Sequence, residues 1–137
     1  MTLYERLTTL KTILVEDDAL LRNAMLEFFR SKGCLVRVFS NAEKAMRAME
    51  NERFDIVISD HCLPGLDGVT FLMRTRRWQP DTIRILLTEY PTSATSTADA
   101  PGQTSISDVI VKPFTVTELE HSLCRLLETA ARERNIS

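Results

Sequence analysis

Five short apolar runs, each separated from the next by a stretch of helical character or by a longer polar segment, constrain this chain more than any other feature. "KTILV" at 11–15, "LVRVF" at 35–39, "DIVIS" at 55–59, "TIRILL" at 82–87 and "DVIV" at 108–111 have the length and β-branched content of buried strands. Leu21, Ala24, Met25, Phe28 and Phe29 recur at helical spacing between the first two runs, and Gly33 follows as a stop. Asn41 is placed to cap a second helix with the face Ala42, Ala45, Met46 and Met49. A third helix is predicted from about Gly68 to Arg77, ended by Pro80. The last begins at "TVTE", where Thr115 and Glu118 have capping-box spacing, and presents Leu119, Leu123, Leu126, Leu127 and Ala130. Strands alternating with helices cannot pair by tight hairpins, so a parallel sheet covered on both faces is expected. The fold class is therefore α/β, doubly wound, with five parallel strands in the order 2-1-3-4-5.

A chain of 137 residues, 44% hydrophobic and 26% charged, has room for one domain with its own core. We assign 11–130 to it, with 1–10 as an N-terminal extension and 131–137 as a tail or the start of a linker. A net charge of -2, with no Lys/Arg cluster, argues against direct nucleic-acid binding. No apolar stretch approaches a membrane span, and residues 1–10 carry charge where a signal peptide needs an apolar run, so a cytoplasmic protein is expected. Cys34, Cys62 and Cys124 are odd in number and lack paired spacing, which speaks against a disulfide framework or a zinc site.

In an open parallel sheet, ligands gather beyond the carboxyl ends of the strands where strand order reverses. Polar residues occupy those ends here: Glu16, Asp17 and Asp18 after the first strand, Asp60 after the third, Thr88 after the fourth and Lys112 after the fifth. In the order 2-1-3-4-5, Asp17 and Asp60 converge. Clustered carboxylates need a cation, and hard oxygen ligands suit Mg2+ better than zinc. Asp18 reads as the cap of the following helix, Asp67 and Gly68 as turn and cap, and Asp55 as a strand-entry residue. His61 and His121 are read as ordinary surface histidines.

The motifs "ILVEDD", "IVISDHCLPGLDG", "ILLT" and "VKPF", in this order, resemble the receiver domain of bacterial two-component response regulators over roughly residues 10–130. The resemblance implies that Asp60 accepts a phosphoryl group from the phosphohistidine of a sensor histidine kinase or a phosphotransfer protein. It implies that Asp17 and Asp60 bind Mg2+ directly, Glu16 through water, and Cys62 through its backbone carbonyl. Thr88 would be the switch hydroxyl, and Lys112, before a Pro113 whose peptide bond is cis in the family, would pair with the acyl phosphate. Such a domain is no enzyme beyond its own phosphorylation and dephosphorylation; a homodimer or a fused output domain would carry the signal onward.

Three departures stand against the family pattern. Val109 occupies the position where an aromatic switch residue is usual, and Glu89 follows Thr88 where a small residue is preferred. Residues 89–107 are rich in Ser and Thr with Pro91 and Pro101, and predict a mobile loop, or a short turn near Ala94–Ala98, packed through Tyr90 and Ile106 in place of a fourth helix of ordinary amphipathic face. The departures leave a second reading, a pseudo-receiver that binds partners without phosphorylation. A phosphatase working through an aspartyl phosphate would want an aspartate two residues after Asp60, where Cys62 stands, and no Gly-rich phosphate loop follows the first strand.

Overall fold

The computed structural model describes residues 1–91 and 105–136, with side chains through 133. The elements run α1 (Leu3–Leu7), β1 (Lys11–Val15), α2 (Ala19–Ser31), β2 (Leu35–Phe39), α3 (Ala42–Asn51), β3 (Ile56–Asp60), α4 (Gly68–Trp78), β4 (Ile83–Thr88), β5 (Asp108–Val111) and α5 (Val116–Ile136). The sheet is parallel throughout with the order β2-β1-β3-β4-β5, as the alternation of strands and helices predicts.

Alternate strand residues feed two cores, as the period of two requires. Leu14, Ile56, Ile58, Ile85, Leu87 and Ile110 pack with Met25 and Phe29 of α2 and Leu119 and Leu123 of α5. Ile13, Val15, Val57 and Leu86 pack with Ala42, Ala45 and Met49 of α3 and Phe71 and Leu72 of α4. Every residue of β3 and β4 is buried, which explains why these strands read as continuous apolar runs rather than alternating ones.

The caps follow their chemistry. Asp18, Asn41 and Asp67 accept hydrogen bonds from the first-turn N–H groups of α2, α3 and α4, and Thr115 accepts from Glu118 at the head of α5. Asp55 accepts from the Lys11 N–H at 2.8 Å, tying the foot of β3 to that of β1.

The ten residues before β1 carry a helix of their own. They contain α1, closed by a capping box between Thr2 and Glu5, with Leu7 1% exposed inside the α2–α5 core and the Tyr4 hydroxyl bonded to Glu120 of α5. Tyr90 is a correction to the packing expected of it. It is 70% exposed, whereas Ile106 is 4% exposed and packs into the α3–α4 core, so of the two only Ile106 is packed. The expected turn near Ala94–Ala98 lies outside the described residues.

Candidate functional site at the carboxyl ends of the strands

Strands β3 and β4 each extend one residue further than their sequence pattern predicts, so Asp60 and Thr88 are the last residues of their strands. The ladder therefore fixes their main chains. Asp60 is in register with Leu87 and Thr88 with Val111, while the Lys112 N–H donates to the Thr88 carbonyl at 2.8 Å. The Glu16 N–H donates to the Phe39 carbonyl at 3.0 Å, which pins the acidic turn to β2. Arg22 reaches back from α2, its Nη1 donating to the carbonyls of Glu16 at 2.9 Å and Asp17 at 3.2 Å. Its basic side chain gave no hint of this in sequence, because the contact depends on how the β1–α2 turn folds.

Carboxylate oxygens of Glu16, Asp17 and Asp60 all lie within 4.8 Å of one another, with Glu16 and Asp60 buried and Asp17 exposed. Lys112 Nζ bridges two of them, 2.7 Å from Glu16 Oε1 and 3.0 Å from Asp60 Oδ1. Burial pushes the Glu16 carboxyl up to about 7; the Lys112 hydrogen bond opposes that rise and neighbouring Asp60 adds to it. Burial alone would lower Lys112, but its hydrogen bonds to Glu16 and Asp60 outweigh the desolvation and hold the ammonium above its ordinary value. With all three carboxyls ionised, one ammonium leaves an excess of two negative charges, the charge of one divalent cation. An all-oxygen donor set with open solvent at Asp17 fits Mg2+, which keeps several waters and takes one or two carboxylates. Cys62 is exposed and its thiol is free.

The turn after β3 closes tightly over the strand end. The Gly68 N–H donates to the His61 carbonyl at 2.8 Å, and a Cβ on Gly68 would fall 1.9 Å from the Asp60 carbonyl oxygen. Glycine is required here for close approach, a stronger reason than the turn and cap chemistry expected of it. The structure also brings in His61, set aside as a surface residue: its Nδ1 lies 2.9 Å from Thr88 Oγ1. That contact joins residues 27 apart on neighbouring strand ends, beyond the reach of any local sequence signal. His121 is exposed on α5. Glu89 and Lys112 line one groove between α2 and α5, together with Leu21, Met25 and Phe114. The Lys112–Pro113 bond is cis. Val109, where an aromatic ring is usual, packs against the α3–α4 core.

The comparisons agree with this architecture. The profile of the response regulator receiver domain matches residues 12–124. The chain is 33% identical over 116 residues to the Saccharomyces cerevisiae transcription factor SKN7, covering 85% of this chain and 18% of that protein. It also spans less than half the length of the next curated relatives. Among solved structures, the signal receiver domain of an HD domain-containing protein from Pseudomonas fluorescens superposes with a TM-score of 0.78 at 28% identity, covering 91% of each chain. The receiver domain of a Pseudomonas aeruginosa sensor histidine kinase, solved with a magnesium ion coordinated in its active site cleft, gives a TM-score of 0.70 at 28% identity, covering 85% of this chain and 95% of that one. With a parallel sheet in the order 2-1-3-4-5, an acidic cluster at its carboxyl edge and a profile match over most of its length, the chain belongs to the response regulator receiver domain family.

Proposed function

We propose that this receiver accepts a phosphoryl group on Asp60 from the phosphohistidine of a sensor histidine kinase or a phosphotransfer protein, in a Mg2+-dependent step. The observation that carries the reading is the Lys112 ammonium 3.0 Å from Asp60 Oδ1, beside the acidic pair Glu16 and Asp17. An Asp60 oxygen would form the new P–O bond as the P–N bond breaks, its electron pair returning to the departing imidazole nitrogen. Lys112 and the Thr88 hydroxyl would meet the phosphoryl oxygens. Asp17 and Asp60 would hold the ion directly, Glu16 through water and Cys62 through its carbonyl; when bound, Mg2+ neutralises charge on the transferring group. Beyond its own phosphorylation and dephosphorylation the domain catalyses nothing, and it works in the cytoplasm. Its output lies in a fused domain, a homodimer or a separate partner. The transcription-factor relatives favour control of transcription, exercised by other parts of the system than this domain.

Incubation with acetyl phosphate and Mg2+ is expected to add one phosphoryl mass, which Asp60→Asn abolishes. Equal labelling of that variant would refute the assignment. Glu89 beside Lys112 and Val109 in place of a ring favour the alternative, a phosphorylation-independent interaction module. An unlabelled wild type that still binds its partner would establish it.

A further inference from the structure

The Thr88 side chain is 1% exposed, so its hydroxyl must find partners inside the protein. The Tyr90 N–H donates to Thr88 Oγ1 at 3.1 Å and occupies one lone pair. A hydroxyl has one proton to give, and His61 Nδ1 lies 2.9 Å from Thr88 Oγ1, where the Nε2–H tautomer of the neutral ring would accept that proton. His61 has little freedom to withdraw. Its N–H donates to Asp60 Oδ1 at 2.9 Å and to the Leu87 carbonyl at 2.8 Å, and its carbonyl accepts from Gly68 at 2.8 Å. The imidazole is thus rooted beside Thr88 by its own backbone N–H and carbonyl, and the hydroxyl is released when Thr88 turns its proton away from it.

A phosphoryl oxygen on Asp60 needs the same proton, since a neutral hydroxyl meets an anionic oxygen by donating to it. We infer that His61 is a positioning residue that competes with the Asp60-borne phosphoryl group for the Thr88 hydroxyl proton, and thereby sets how readily the receiver leaves its resting state. The inference rests on the reading of Asp60 as the phosphoryl acceptor. In the resting protein the imidazole takes the proton at Nδ1 and carries its own hydrogen on Nε2. In the switched protein Thr88 turns its proton to the phosphoryl oxygen and the bond to His61 is lost. The gap between the two states then includes one neutral hydrogen bond, made by the residue directly after Asp60.

The test is a beryllofluoride titration of the full chain with Mg2+, followed by NMR. Replacing the imidazole by an apolar side chain in His61→Leu is expected to tighten binding about five- to tenfold, the worth of one neutral hydrogen bond. His61→Asn, which restores an acceptor at the same reach from the backbone, is expected to bring the affinity back toward wild type. In a Thr88→Val background the effect of His61→Leu should vanish, an outcome that a merely structural histidine would not produce. Unchanged or weaker binding by His61→Leu, or tightening that persists without the hydroxyl, would overturn the inference. Should His61→Leu fail to fold, imidazole nitrogen spectra of the wild type at about pH 8, above the ordinary histidine range, decide the matter. A hydrogen-bonded Nδ1 acceptor that is released on adding the mimic supports the inference; an Nδ1–H tautomer in the resting protein overturns it. A wild type that binds no beryllofluoride at all would instead sink the Asp60 reading, so the two failures are distinguishable.

Discussion

Glu16 is fully buried and yet ionisable, and its environment favours the neutral form: burial pushes its carboxyl up to about 7. A carboxyl whose pKa is higher folded than unfolded makes the native state hold more protons, so stability falls as pH rises from the ordinary glutamate range through 7. The metal-free protein should therefore melt at lower temperature at about pH 8 than at about pH 5.5, with Mg2+ recovering more of the loss at the higher pH. Glu16→Gln should flatten that pH dependence and weaken Mg2+ binding about 10- to 100-fold, as expected of a group that orients the ion's shell. Calorimetry in both buffers, with and without Mg2+, checks both outcomes. Glu89 acts at longer range, lining the same groove as Lys112. Glu89→Ala should raise the acetyl phosphate labelling rate several-fold at low ionic strength and by less at about 0.5 M salt, because exposed charges are screened.

At the level of elements, the strand-end rule made most of the site legible. Asp17, Asp60, Thr88 and Lys112 follow apolar runs, and a parallel sheet aligns the carboxyl ends of those runs. Helices were legible where a face repeats at 3.6 residues, as in Met25 and Phe29 of α2. α1 was not, because five residues span too few turns for periodicity to register; only the capping-box spacing of Thr2 and Glu5 marks it. Arg22 and His61 escaped for another reason. Each acts through a contact that exists only after the loops have closed, and neither residue type announces such a role. Gly68 was legible as a turn residue but not as a steric necessity. Since any Cβ there would overlap the Asp60 carbonyl, Gly68→Ala should destabilise by about 3 kcal/mol and displace the loop that carries Cys62. Urea denaturation measures the first effect, and loss of Mg2+ affinity the second.

For the whole molecule, α1 is part of the structure rather than an appendage. Leu7 enters the α2–α5 core, so Leu7→Ala is expected to cost about 2–4 kcal/mol in chemical denaturation. Labelling of Asp60 should be unaffected in the folded fraction, since α1 lies away from the strand ends that carry the site.

The opposite rim of the sheet has a different character. There the Gln79 amide bonds to Phe54, Met49 and Glu52 main-chain groups, and buried Arg84 donates to the carbonyls of Ser105, Pro80 and Thr82. These contacts satisfy backbone groups, and among the described residues no carboxylate cluster joins them. One end of the strands thus carries contacts that hold the chain in place, and the other gathers Glu16, Asp17, Asp60 and Lys112. Random variation should sort along that division. Changes near Gln79 and Arg84 would surface in a library as lost expression, whereas changes at His61 or Glu89 would surface as altered signalling in well-folded protein. A lineage could then retune its response by drifting at one rim while selection holds the other nearly still.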